Sequence, residues 1–199
     1  MTVKDRIIEE ASELFSQSGV RSITMDELAK HLGISKRTIY ENFKDKEDLL
    51  IACIDAFHEE GRKFQEKVFQ TSENVVEAIL AILPDTVGQT TQRQINMMND
   101  IRKYYPQVYK ERFTHFHNEQ CGNMEQMIWR GIKEGVFHED LKPEIIAHFF
   151  SKQGESIINN RYLEKFSISD IIENIAFTFF RGICTEKGTK IIDNYKKNK

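Results

Sequence analysis

The segment from Thr24 to Lys46 constrains the fold more than any other part of this 199-residue chain. Thr24 is a preferred N-cap residue, and Glu27, three residues later, can complete a capping box. The next apolar residues repeat at helical spacing and predict a short amphipathic helix; they are Met25, Leu28, Ala29 and Leu32. Gly33 suits a sharp turn after this helix because glycine adopts a positive φ at low cost. Ser35 is then a suitable N-cap for a second helix.

The second helix, which we expect over residues 35–43, has one buried and one exposed side. Ile39 and Phe43 are predicted to be buried. The outward residues are polar or basic; they are Ser35, Lys36, Arg37, Thr38 and Tyr40. Two short helices joined by a glycine turn, with an exposed basic start to the second, are typical of a helix-turn-helix that inserts its second helix into the DNA major groove.

The run TMDELAKHLGISKRTIYENFKDKEDLL resembles the DNA-binding segment of the tetracycline-repressor (TetR) family of bacterial transcriptional regulators. The spacing of seven residues carries this resemblance: Ala29, Gly33, Ser35, Tyr40, Phe43, Lys46 and Leu49. Asn42 departs from the pattern, since the family often has His there, and an amide can bond a phosphate without contributing charge. The motif covers about the first quarter of the chain, because the second domain of this family is divergent.

The residues of this segment predict two kinds of DNA contact. Base edges are the expected partners of Lys36, Arg37 and Thr38. Phosphates are the expected partners of the remaining candidates, which are Thr24, Tyr40, Asn42 and Lys46. Ser35, at the start of the helix, is included in the DNA-binding surface. The alternative for Tyr40 is an aromatic residue of the core.

The overall charge argues against a generally basic nucleic-acid binder, because the net charge is −3 and the isoelectric point is about 6.1. DNA binding must therefore come from a local patch, for which the candidates are Lys30, Lys36, Arg37, Lys44 and Lys46. Three widely separated cysteines do not form a disulfide framework. Without an apolar leader or a bilayer-length apolar segment, the expected location is the cytoplasm.

The apolar periodicity predicts an all-α fold of about nine helices. We expect a helix-turn-helix DNA-binding domain over residues 1–46 and an effector-binding and dimerisation domain over residues 47–199. Pro84 is expected to kink or end its helix. The polar and basic residues 187–199 are expected to fray.

Two C-terminal segments, residues 143–165 and 167–185, are apolar over more than one face, which requires a second cover. A second copy of the chain is the simplest cover, and the family resemblance also implies a two-fold dimer. The predicted interface residues are Phe149, Phe150, Ile157, Ile171, Ile175 and Phe179.

The family resemblance also implies a pocket for a small, mostly apolar effector in the second domain. The candidate lining residues are Met97, Met98, Ile101, Tyr105, Phe113, Phe116, Met127, Trp129 and Gln153. The alternative for each of them is an ordinary core residue. Together these features predict a dimeric, ligand-responsive regulator that represses from a palindromic operator, with activation left open because it depends on operator position.

Other chemistries have weaker support. His117 and Cys121 share a helix face with each other but not with His115, so the ligands for a metal site are incomplete. A redox-sensing thiol needs a basic neighbour, and Cys121 has none on its own helix face. No catalytic constellation or phosphate-binding glycine loop is present, so we expect neither an enzyme nor a cofactor. The remaining rivals are a carrier or enzyme with a relic DNA-binding head, and a protein-interaction module.

Overall fold

The computed structural model describes residues 1–89, 92–159 and 166–197, and their backbone is mainly helical. The helices are α1 (Val3–Ser18), α2 (Met25–Leu32), α3 (Lys36–Asn42), α4 (Lys46–Thr71), α5 (Val75–Gln89), α6 (Gln92–Tyr104), α7 (Pro106–Lys133), α8 (Pro143–Asn159), α9 (Ile168–Ile171), a π-helical turn (Ile172–Ala176), α10 (Phe177–Ile183) and α11 (Glu186–Lys197). An isolated antiparallel bridge joins Phe137 to Cys184. The predicted all-α class is confirmed.

The first helices begin at defined side-chain caps. Thr2 and Asp5 form a capping box at the start of α1, and Thr24 and Glu27 form the predicted one at the start of α2. Because these side chains satisfy the free N–H groups of each first turn, the boundaries of α1 and α2 are fixed by local sequence.

The structure divides into two compact units. Unit 1 comprises residues 1–62 and 90–116, and unit 2 comprises residues 63–89 and 117–199. The buried core of unit 1 is drawn from α1 to α4, α6 and the start of α7; its largest members include Ile7, Phe15, Leu28, Ile39, Phe43, Leu49, Leu50 and Ile101. The functional division after residue 46 stays a prediction.

Unit 2 has its own core, drawn from α5, the end of α7, the segment after α7, α10 and α11; it includes Val75, Ile79, Ile128, Phe137, Phe177, Phe180 and Ile192. Arg130 stabilises the junction between α4 and α5 by hydrogen bonds. Its guanidinium donates to the carbonyls of Phe69, at 2.6 Å, and Ser72, at 3.1 Å, and pairs with Glu134 at 2.6 Å. Glu134 in turn accepts the backbone N–H of Val75 at 2.8 Å, so one ion pair satisfies both helix ends.

Two glycines of unit 2 lie where no side chain fits. A β-carbon at Gly131 would collide with the ring of Phe137, and one at Gly188 would collide with the carbonyl oxygen of Val136. That carbonyl also accepts the backbone N–H of Thr185 at 3.0 Å. These contacts hold the segment after α7 close to the start of α11.

Two local predictions are corrected. Residues 186–197 form α11 instead of fraying, because Ile192 is buried and Tyr195 packs on the core of unit 2. The backbone of α5 continues through position 84 to Gln89, so Pro84 does not end this helix, and the kink that was the other expectation stays a prediction.

Candidate nucleic-acid interface

The turn between α2 and α3 has the geometry that the sequence predicts. Gly33 adopts a left-handed conformation with φ of 65°, and its N–H bonds carbonyls of the last turn of α2. The N–H of Ile34 donates to the carbonyl of Ala29 at 3.1 Å, which closes the helix end. Ser35 then caps α3 by accepting the N–H of Thr38 at 3.0 Å.

The recognition helix, as we call α3, is anchored by its apolar side. Ile39 is fully buried, and Phe43, directly after the helix, is 2% exposed. On the opposite side Lys36 and Arg37 are exposed, and Tyr40 is 46% exposed. Tyr40 is therefore a surface residue rather than the core aromatic of the alternative interpretation.

Both exposed cations of the recognition helix are paired with carboxylates. Lys36 Nζ lies 2.6 Å from Asp26 Oδ1, and this hydrogen bond raises the pKa of Lys36. Arg37 Nε donates to Glu41 Oε1 at 2.8 Å, one helical turn along α3. The four-residue spacing of Arg37 and Glu41 could have revealed their pair in the sequence. The pair of Lys36 with Asp26 could not, because it joins two helices.

Four of the side chains predicted to contact DNA already have hydrogen-bond partners inside the protein. The Thr24 hydroxyl donates to Glu27 at 2.8 Å, and the Ser35 and Thr38 hydroxyls lie 2.8 Å apart. The half-buried Asn42 donates through Nδ2 to the carbonyl of Thr38 at 2.8 Å. A phosphate contact from Asn42 therefore has to share or replace this bond.

Lys46 lies at the first position of α4, where the helix dipole also favours an anion. Asp45 caps this helix by accepting the N–H of Asp48 at 2.9 Å. The Lys46 side chain is half-buried, with Nζ 5.7 Å from the ring centre of Phe15. Burial lowers the pKa of the Lys46 ammonium, and the nearby Glu27 carboxylate partly offsets this effect.

Residues 7–53, which contain the whole of this arrangement, match the sequence model of the bacterial regulatory proteins of the tetR family. These residues form a DNA-binding segment of the TetR family. The chain is a transcriptional regulator with a TetR-type helix-turn-helix.

Relatives and solved structures extend the match beyond the helix-turn-helix. The chain is 24% identical to the HTH-type transcriptional regulator YvaF of Bacillus subtilis over 185 residues, an alignment that covers 92% of this chain and 96% of YvaF. The structure of regulatory protein TetR from Rhodobacter sphaeroides has a TM-score of 0.71 at 17% identity, covering 92% of this chain and all of that one. A transcriptional regulator from Saccharomonospora viridis in complex with choline has a TM-score of 0.73 at 16% identity, covering 92% and 98%. At these identities the structures show a common fold.

The candidate effector residues fall in both units. Six lie in unit 1: Met97, Met98, Ile101, Tyr105, Phe113 and Phe116. Ile101 is fully buried, whereas the ring of Phe113 stacks on Tyr109 and that of Phe116 stacks on His58. The other three, Met127, Trp129 and Gln153, lie in unit 2, where Trp129 is 56% exposed and Gln153 is exposed. An open groove of about 750 Å³ between α1, α4 and α6 includes Met97 and Met98. The effector-binding role of all nine residues stays a prediction.

The predicted dimer residues are partly exposed. Phe149 is 54% and Ile175 is 49% exposed, and Ile145, which the sequence did not single out, is 59% exposed. Phe150 and Phe179 are half-buried with ring centres 5.0 Å apart, and Ile171 is buried. The side chain of Ile157 lies outside the described residues.

Among the described residues, no three His, Cys, Asp or Glu side chains come together as a metal-binding group. Cys53 and Cys184 are buried free thiols, and Cys121 is partly exposed. Over the same described ranges, no helix has both the length and the apolar character needed to cross a membrane.

Proposed function

We propose that the chain is a ligand-responsive repressor that binds a palindromic operator as a homodimer. The observation that carries this proposal is the recognition helix, whose cations Lys36 and Arg37 are exposed while Ile39 and Phe43 hold it on the core. A basic helix presented in this way fits a major groove. Residues 1–46 serve as the DNA-binding domain, and residues 47–199 as the effector-binding and dimerisation domain.

The contacts with DNA divide by chemistry. Lys36, Arg37 and Thr38 approach base edges. Ser35 and the phosphate-directed candidates position the helix on the backbone; the latter are Thr24, Tyr40, Asn42 and Lys46. Two recognition helices related by a two-fold axis would then contact half-sites one helical turn apart.

The effector acts by shifting a population. A small molecule that binds better to a conformer with displaced recognition helices lowers the fraction able to bind the operator. α4 is the proposed transmitter, because it runs without a break from Lys46, next to the recognition helix, to Thr71 in unit 2. We expect a mostly apolar effector. The S. viridis neighbour in complex with choline supports a small-molecule ligand but not its identity.

The test is selection of bound sequences from random duplex DNA, followed by a mobility-shift assay on the selected DNA and on the DNA upstream of the coding region. The variant Lys36→Ala with Arg37→Ala should lose specific binding while remaining folded and dimeric, because it removes both exposed cations of the recognition helix. Lys67→Ala with Lys110→Ala removes the same charge from exposed positions outside this helix and should bind normally. Unchanged operator affinity of the first variant contradicts the assignment. Absence of any salt-dependent DNA binding by the unaltered protein would favour a protein-interaction module or a carrier.

A further inference from the structure

Glu41 is an exposed carboxylate on a helix that is proposed to enter DNA. It lies four residues after Arg37 and therefore on the same face of α3. Its side chain is 57% exposed and that of Arg37 is 86% exposed, so neither is buried by the rest of the chain. A carboxylate on this face repels phosphates, and its presence there needs a reason.

Stability does not supply that reason. An exposed ion pair with i,i+4 spacing contributes little to folding. α3 is already capped by Ser35 and anchored by the buried Ile39. We therefore look for the effect of the Arg37–Glu41 ion pair in the binding behaviour of the Arg37 side chain.

The atoms used in this pair are informative. Glu41 Oε1 accepts from Nε of Arg37, on the side of the guanidinium. This arrangement leaves the end of the group, Nη1 and Nη2, to form the two parallel hydrogen bonds that arginine makes with O6 and N7 of guanine. A flexible side chain loses less freedom on binding when one of its nitrogens is already held.

Resting on the proposed function, we propose that Glu41 is a positioning residue that makes Arg37 specific for guanine. It holds the guanidinium with its paired donors outward, and its negative charge disfavours the alternative in which Arg37 contacts a phosphate. Glu41 thus raises the preference for the operator over other DNA in two ways, through orientation and through repulsion.

The two effects give Glu41→Gln an unusual signature. Affinity for random-sequence DNA should rise, on the order of threefold between 50 and 200 mM salt, because a repelling charge is lost and Arg37 is free to contact a phosphate. Affinity for the selected operator should not rise in proportion. The ratio of specific to non-specific affinity should therefore fall about tenfold, which lies within the base discrimination that one bidentate contact provides. The loss should fall on the guanine that Arg37→Ala also affects.

The matched control is Glu186→Gln. Glu186 also forms an exposed i,i+4 pair, with Lys190 in unit 2, and its substitution changes the net charge equally. This control should leave both affinities unchanged. A second comparison places Glu41→Gln in a chain with Arg37→Lys. Lysine has no paired donors to orient, so Glu41→Gln should there no longer alter the guanine preference.

These measurements distinguish failure of the proposed function from failure of the Glu41 inference. If the unaltered chain selects no DNA sequence, the proposed function fails. If it selects one and Glu41→Gln raises both affinities equally, Glu41 acts only as a charge and the positioning role is wrong. If Arg37→Ala changes no guanine preference, or Glu41→Gln behaves like Glu186→Gln, the inference is overturned while the proposed function stands.

Discussion

At the scale of single residues, the recognition helix shows how exposure and pairing are decided separately. Exposure of Lys36 and Arg37 follows from the helical period, since Ile39 and Phe43 occupy the buried face. Pairing does not follow from the period alone. Arg37 meets Glu41 within one helix, whereas Lys36 meets Asp26 only because the Gly33 turn brings α2 and α3 together. Sequence predicts which residues face outward, but contacts between helices require the fold.

Lys46 should contribute to DNA affinity through its charge and should not contribute to base preference. Lys46→Met keeps an aliphatic side chain beside Phe15 and removes the ammonium. We expect weaker binding to every DNA sequence and a salt dependence shallower by about 0.9 in the slope of log K against log salt. Titrations of operator and random duplexes at several salt concentrations measure both quantities. Lys46→Arg is the charge-retaining control, and a changed base preference in Lys46→Met would contradict a phosphate role.

The three thiols should differ sharply in reactivity. Burial raises the pKa of Cys53 and of Cys184 to about 11, and both thiols are also shielded from reagents. At pH 8, iodoacetamide should therefore modify the partly exposed Cys121 first, and the other two only after unfolding. Mass spectrometry of timed samples locates the label. Equal labelling of all three cysteines in the native protein would show that the two buried sites open readily.

The same pKa shifts predict a loss of stability in alkali. The thiols hold their protons to about pH 11 when folded but lose them near the ordinary value of 9.0 when unfolded. The contribution of these two thiols to the free energy of unfolding should be constant below pH 9 and be lost as the pH rises through 11.

At the scale of elements, local sequence determines the helix-turn-helix well and the C-terminus poorly. Thr24, Gly33 and Ser35 are strong boundary signals, and each performs its predicted role. α11 was missed because its polar composition conceals two residues, Ile192 and Tyr195, that pack on unit 2. The π-helical turn at Ile172–Ala176 has no comparable signal, since it depends on tertiary packing.

Two glycines of α7 should respond in opposite ways to the same substitution. Gly131→Ala should lower the free energy of unfolding by about 1–3 kcal/mol, because its methyl group meets the Phe137 ring. Gly122→Ala has nothing within 4 Å and should raise that free energy by about 0.5–1 kcal/mol through helix propensity. Urea unfolding of both variants measures the difference. Equal effects would mean that the Phe137 ring is not fixed against α7.

At the scale of the whole molecule, unit 2 presents apolar side chains that a monomer leaves in water. Phe149 on α8 and Ile175 in the π-helical turn are about half exposed, and Ile145 lies one turn before Phe149. Such residues mark an interaction surface when they lie together. They support the proposed dimer, although its remaining predicted residue, Ile157, lies outside the described side chains.

The dimer and operator binding should be lost together. Phe149→Lys with Ile175→Lys should shift the protein to monomers, because two charges would be buried in an apolar interface. Operator affinity should fall at least tenfold, since a single half-site remains, while the helical content is retained. Sedimentation velocity and circular dichroism provide the measurements. Phe57→Lys, which replaces an equally exposed phenylalanine of unit 1, is the control; a monomeric unaltered protein would contradict the dimer.

The Val136 carbonyl restricts which substitutions the gene can accept at position 188. It cannot retreat from position 188 without giving up its bond to the N–H of Thr185, so even the smallest side chain at Gly188 is excluded. In a saturation library selected for function, codon 188 should tolerate glycine alone while codon 122 accepts many replacements. The polar C-terminal segment therefore contains a position at which no substitution should be retained during evolution.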